Sequence, residues 1–250
     1  MGFEEVFYTG GGCKLFTKYS RKGTPSVLFL AGMGDNCETW NEVQNRIAEI
    51  TTTFSYDRAG VGRSDAVSNP RTCHDLVQEL AELLRQVSVE PPFIIVGHSF
   101  GGLVARQFAS YYPSLVAGLV LVDAAVEHKE LAYEKVLPKK LQATNRAYLE
   151  NPMLNREKID KLQSYKQITE HSQLGNIPLS ILTRGLPDHE LDGWPKQEIL
   201  KIEQDLQAKM QRLSTASSFK IAQHSRHYIH HDEPEFVIEE IKMMIKGIAK

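Results

Sequence analysis

Apolar residues fall along this chain in two alternating rhythms. Short continuous runs have the length of buried strands, and longer stretches carry apolar positions three and four apart, as a helix face does. From residue 5 to residue 20, two strand-like runs flank Thr9-Gly10-Gly11-Gly12, which predicts an amino-terminal hairpin. Val27-Leu28-Phe29-Leu30 reads as a buried strand, and a helix beginning near Thr39 or Trp40 carries Trp40, Val43, Ile47 and Ile50. A strand over 52–57 is followed by a helix over about 71–87, with Leu76, Leu80, Leu83 and Leu84 on one face. Phe93-Ile94-Ile95-Val96 is the next strand and leads into a helical stretch from Leu103 to Ala109; a further strand over 116–122 ends at Asp123. Strands alternating with helices through short connections predict an α/β fold, a mostly parallel sheet with helices on both faces.

The rhythm breaks over 124–176. This stretch is more polar, is punctuated by Pro138 and Pro152, and holds no strand-like run, so it predicts three or four short helices inserted as a cap over the sheet's carboxyl edge. The expected division is a core of 1–123 and 177–250 with a helical cap, or lid, of 124–176. Beyond it the alternation resumes with a strand over 178–183, a helix over about 196–213, a strand over 218–223 and a last helix after Pro234.

Composition narrows the function classes. A chain of 250 residues with 42% hydrophobic and 24% charged residues is long enough to bury a full core without staples. Its net charge of −2 points to no polyanionic partner, so nucleic acid binding is not expected. Cys13, Cys37 and Cys73 are odd in number and lack metal-like spacing, which fits a reducing compartment. The acidic amino-terminal stretch has no apolar signal region, and no apolar run is long enough to span a membrane. A cytoplasmic protein without membrane contact is the expectation; the oligomeric state is open.

The chemistry concentrates at Gly97-His98-Ser99-Phe100-Gly101-Gly102, a G-x-S-x-G between a strand and a helix. A strand that reverses sharply into a helix strains its corner residue, so the neighbours must lack side chains. Ser99 is thereby pushed out at the strand's carboxyl end, where helix N–H groups favour an oxyanion. A second glycine-bearing loop, Asp57-Arg58-Ala59-Gly60-Val61-Gly62-Arg63-Ser64-Asp65, also follows a strand, but Asp65 stands where a dinucleotide fingerprint needs its third glycine. His224, His227, His230 and His231 cluster before the last helix without the register of a zinc site.

Taken in order, the Leu30-Ala31-Gly32-Met33-Gly34 loop, the 57–64 loop, the Gly97–Gly102 stretch and His227 followed by Pro234 resemble the α/β-hydrolase family over nearly the whole length. The resemblance implies Ser99 as nucleophile and His227, in Ser225-Arg226-His227, as base, although Arg226 stands where the family usually has glycine. It implies an oxyanion hole from the N–H groups of Phe100 and Met33, with Asp57 and Arg58 as buttresses. The other histidines are set aside by position, with His98 turned away from the site and His74, His128, His171 and His189 elsewhere; Trp40 is read as core. Two acids compete. Asp188, in Gly185-Leu186-Pro187-Asp188, has the family's usual place, whereas Asp123 ends a rigid strand, where some relatives carry the acid. Rigidity favours Asp123, with Asp188 as the alternative. The implied activity is that of a serine hydrolase of carboxylesterase type, cleaving a small-molecule acyl substrate through an acyl-enzyme without metal or organic cofactor. Other reactions on the same triad (perhydrolase, C–C hydrolase, thioesterase, lyase) and a non-catalytic ligand sensor are the rival readings.

Overall fold

The hairpin forms where the glycines allow it. Strand β1 (Glu4–Gly10) pairs antiparallel with β2 (Cys13–Ser20), and Gly11 and Gly12 turn the corner at φ of 58° and 75°. In the computed structural model, which describes residues 2–188 and 193–248, six further strands extend this hairpin into one sheet. They are β3 (Ser26–Leu30), β4 (Thr53–Tyr56), β5 (Phe93–His98), β6 (Val116–Val122), β7 (Leu179–Arg184) and β8 (Ser217–Ala222). The order is β1-β2-β4-β3-β5-β6-β7-β8, with β2 antiparallel to β4 and every later pairing parallel. This is the expected α/β sheet.

The helices in chain order are α1 (Asn41–Ala48), α2 (Cys73–Gln86), α3 (Phe100–Tyr111), α4 (Lys129–Tyr133), α5 (Lys139–Glu150), α6 (Lys161–Glu170), α7 (Lys196–Lys209), α8 (Ile229–Asp232) and α9 (Pro234–Ile248). Because strand side chains alternate between faces, the buried runs feed two cores. Leu28, Leu30, Ile95, Leu119 and Leu121 join Leu76, Leu80, Leu103 and Phe108 of α2 and α3. Val27, Phe29, Ile94, Val96 and Val120 join Val43 and Ile47 of α1 and Val237, Ile238 and Ile241 of α9. Burial of each such side chain contributes about 1.5–3 kcal/mol, so the central strands are held from both sides.

Element boundaries shift for local reasons. Helix α2 starts at Cys73 because Thr72 caps it, its side chain and that of Asp75 forming a reciprocal capping box. The 196–213 stretch is helical to Lys209 and then tightens into a 3-10 turn, Met210–Leu213. The loop expected before the last helix contains the short α8, since four residues are too few to show a period.

Residues 124–176 carry α4, α5 and α6 and add no strand to the sheet. Arg106 of α3 pairs with Glu127 at 2.5 Å, the Cys73 amide donates to Ser164 Oγ at 2.9 Å, and Arg71 and Ile159 form an isolated bridge. The segment is therefore tied to the body of the sheet at several points along its length.

Candidate active site

The corner between β5 and α3 has the strained geometry that its glycines imply. Ser99 sits at φ 48°, ψ −120°, outside the regions open to most L-residues. Three backbone bonds hold it there: the Ser99 amide donates to Val122 O, and Ser99 O accepts from the amides of Gly102 and Ala125. A Cβ at Gly97 would come within 2.7 Å of Gly101 O, and one at Gly102 would collide with Ala124. Only glycine fits these positions. Phe100 opens α3, so its N–H has no partner within the helix.

Asp123 follows β6 at φ 40°, with its amide bonded to Leu182 O at 2.7 Å. Its buried carboxylate meets the His227 ring, Oδ2 to Nδ1, at 2.6 Å. Oδ1 accepts from Gln207 Nε2 at 2.9 Å and from the Arg184 amide at 3.3 Å, and Oδ2 also accepts from Arg184 Nη1 at 2.8 Å. Burial opposes ionisation of this carboxyl. The Arg184 guanidinium, then the His227 and Gln207 contacts, outweigh burial and hold it far below the usual carboxylate range.

Asp188 touches the same histidine differently. Its Oδ1 accepts from the His227 amide at 3.3 Å and its Oδ2 pairs with Arg184 at 3.3 Å, whereas the His227 ring nitrogen goes to Asp123. The neighbouring His189, Glu190 and Asp192 lie outside the described residues.

The His227 loop is pinned by carboxylates from the elements after it. Glu233 accepts from the His224 amide and Ser225 Oγ, and Asp232 accepts from the Arg226 amide at 2.7 Å. Arg226 does not adopt a positive φ, so the arginine in place of glycine introduces no backbone strain.

His98 is buried at the end of β5 and adds one contact to the reading from the sequence. It does not line the cavity, but it is not turned clear of the base: its ring lies 4.6 Å from that of His227, and its Nε2 is 3.0 Å from His227 O. The side chain leaves the end of β5 on the face that packs beneath the His227 loop. Burial and the adjacent His227 push it down to about 4. Trp40 is fully buried, stacked on His230 at 4.2 Å and packed on Phe29, in keeping with a core role. His230 and His231 bond to Thr39.

Ser99, Phe100, Met33 and His227 line one cavity of about 280 Å³ together with Arg184 and Asp188. Residues of 124–176 form part of its wall, among them Tyr133, Tyr148, Tyr165, Glu130 and Lys161, and Trp194 and Ile199 line it too. Glu130 accepts from Tyr165 and Lys161, both at 3.1 Å. The Lys161 ammonium also lies over the Tyr148 ring, and burial pushes it down to about 8 despite the Glu130 carboxylate. Tyr148 reaches Met33, its hydroxyl 3.6 Å from the sulfur.

The loop carrying Met33 is braced as expected. Arg58 donates to Ala31 O and Gly32 O at 2.7 and 2.6 Å, and Asp57 accepts from the amides of Cys37 and Arg63. The brace continues into a residue the sequence did not mark: fully buried Glu157 accepts two bonds from Arg58 and one, at 2.7 Å, from the Gly34 amide. Gly62 belongs to the same packing, since a Cβ there would overlap the Asp57 carboxylate. Packing thus accounts for this glycine without a phosphate. Arg184, Glu203 and Gln207 were also unmarked. A charged residue closing the apolar 179–184 run was the available signal for Arg184; α7 offered none for the other two.

Among the described residues, no cluster of three or more His, Cys, Asp or Glu is placed to hold a metal, and no helix is long and apolar enough to cross a membrane.

Comparison with known proteins agrees with this geometry. A family profile described as alpha/beta hydrolase fold matches residues 25–171. The Uncharacterized protein YqjL of Bacillus subtilis is 33% identical over 93% of this chain and 88% of its own length. An AB hydrolase superfamily protein of Gibberella zeae is 24% identical over 89% of this chain and 86% of its own. Among solved structures, a candidate lipase of Acinetobacter baumannii superposes with a TM-score of 0.76 at 17% identity, covering 99% of this chain and 92% of that one. A thermophilic esterase of Thermogutta terrifontis gives 0.67 at 18% identity, covering 99% and 100%. With its serine corner, its parallel sheet and these matches in agreement, the chain belongs to the alpha/beta hydrolase family.

Proposed function

We propose that the protein is a serine hydrolase that cleaves a small ester or related acyl compound through a covalent acyl-enzyme. The observation that carries this reading is the strained Ser99 sharing a cavity with His227, whose Nδ1 is held by ionised Asp123 at 2.6 Å. Ser99 Oγ attacks the acyl carbonyl carbon while His227 takes its proton at Nε2, the nitrogen that Asp123 leaves free. The N–H groups of Phe100 and Met33 hold the oxyanion of the tetrahedral intermediate. Collapse breaks the bond to the leaving group, which departs with the proton from His227. Water, deprotonated by the same imidazole, then releases the acid and restores Ser99. Asp123 fixes the tautomer and stabilises the imidazolium in both halves, which makes it the triad acid and Asp188 a brace for the loop.

The helices of 124–176 act as the lid over this site. A cavity of about 280 Å³ is at the small end for ligand pockets, and its aromatic walls suit a short acyl group. Some structural neighbours are epoxide hydrolases. Serine at the corner supports acyl transfer instead, because epoxide opening through an alkyl-enzyme ester needs a carboxylate nucleophile.

A panel of p-nitrophenyl esters and acyl thioesters graded in chain length tests the reading. Turnover of the short esters, declining with length, is the expected result. A well-folded enzyme inert toward every member of the panel would contradict it.

A further inference from the structure

The buried ion cluster behind His227 bears on how the base is tuned, an inference that rests on the proposed function. Arg184 Nη1 is 2.8 Å from Asp123 Oδ2, the same oxygen that His227 Nδ1 reaches at 2.6 Å, and only 3.3 Å from that nitrogen. Both Arg184 Nη1 and a protonated Nδ1 are donors, so they share one acceptor and do not bond to each other. An arginine stays charged at every working pH. The carboxylate that would otherwise serve the imidazolium alone is therefore permanently divided with a second cation.

That cation is itself partly answered. Glu203 of α7 lies 3.0 Å from Arg184 Nη1 and is shared with Lys129 of α4 at 2.9 Å, and with the Tyr133 hydroxyl. Asp188, on the loop after β7, adds a carboxylate at 3.3 Å from Arg184 and holds the His227 amide. From β5 His98 faces the His227 ring, uncharged over the working range, and Asp35 lies behind it at 3.7 Å. Tyr228 packs edge-on to the His227 ring. Of the cations in this set, Arg184 alone contacts both Asp123 and the imidazole.

We infer that Arg184 is a positioning residue for the hydrolytic base: by sharing Asp123 Oδ2 it weakens that carboxylate's hold on a protonated His227 ring, while Glu203 and Asp188 moderate that effect.

The test is the titration of the His227 ring, followed by NMR through its Hε1 resonance, in wild type and three variants with melting curves alongside. R184Q removes the charge, and the midpoint rises by about one pH unit. R184K keeps the charge, and the midpoint stays near wild type. E203Q unmasks the arginine, and the midpoint falls. A folded R184Q with the wild-type midpoint, or an R184K that shifts as far as R184Q, overturns the inference. If R184Q does not fold, R184Q/E203Q, which removes the buried pair together, is read against E203Q, and a midpoint no higher than that of E203Q is equally fatal. The readout needs no substrate: shifted midpoints in a protein that hydrolyses no ester would sink the hydrolase reading and leave the role of Arg184 supported.

Discussion

Replacing Asp123 by asparagine separates the two candidate acids. Both oxygens of the Asp123 carboxylate act as acceptors: Oδ1 from Gln207 and the Arg184 amide, Oδ2 from Arg184 Nη1 and His227 Nδ1. Asparagine supplies one oxygen and one NH₂ group, so either orientation sets a donor against donors. With the oxygen kept toward Gln207, the NH₂ faces Nδ1 and forces it to accept. The ring proton then moves to Nε2, where it blocks uptake of the Ser99 proton. Loss of the charge and of the tautomer together lowers kcat/KM by about 10⁴, or about 5.5 kcal/mol of transition-state stabilisation. Arg184 is meanwhile left buried with fewer anions, a defect of about 3 kcal/mol that Glu203 and Asp188 partly relieve, so the melting temperature falls by about 6–12 °C. Asp188→Asn keeps an oxygen for the His227 amide and loses one partly buried ion pair of an arginine that Asp123 and Glu203 still answer, so activity stays within about tenfold of wild type. Both variants are assayed on p-nitrophenyl acetate beside thermal melts. A folded, inactive Asp188→Asn with an active Asp123→Asn would refute the assignment.

The remaining predictions concern the surroundings of the triad. Glu157→Gln leaves Arg58 buried without its carboxylate, and a loss of about 3–5 kcal/mol in denaturant unfolding is expected, with kcat reduced in the folded fraction because the Met33 loop loses its brace. The depressed ionisation of Asp123 stabilises the fold fully above its unfolded value near pH 4 and is lost as pH falls toward its lower folded value. The stability gap between wild type and Asp123→Asn, from urea unfolding, therefore narrows as pH falls below about pH 4; widening in that acid range would contradict the sign. Tyr148→Ala opens the cavity wall beside Met33 and shifts chain-length preference toward longer acyl groups more than it changes acetate turnover. An unchanged profile would reduce the helices of 124–176 to padding.

Much of the architecture could be read from the chain because its determinants are local. The apolar runs at 26–30, 93–96 and 116–122 are buried on both faces, so their continuity marked parallel strands. The glycines around Ser99 could be read because each answers a close approach, of Gly97 to Gly101, of Gly101 to the end of β3 and of Gly102 to Ala124, that leaves no room for a side chain at the corner. What escaped was made by contacts between distant segments. Glu157 looks like any glutamate of a polar helical stretch until Arg58 meets it across ninety-nine positions. Gln207 and Glu203 sit on an ordinary amphipathic helix, and only the tertiary fold brings them to Asp123 and Arg184. The rivalry of Asp123 and Asp188 lay in between. Both reach His227, one at its ring and one at its backbone, and spacing carries no information about which atom a carboxylate meets.

The central claim is that Ser99 is an activated nucleophile served by His227. Intact-mass measurement after exposure to a fluorophosphonate probe tests it most directly, on wild type, Ser99→Ala and His227→Gln. The account predicts one stoichiometric adduct on wild type, mapped by peptide sequencing to Ser99. It predicts no adduct on folded Ser99→Ala and labelling of His227→Gln slowed by about 10³ or more. Undiminished labelling of Ser99→Ala, or a folded wild type that never reacts, would contradict it.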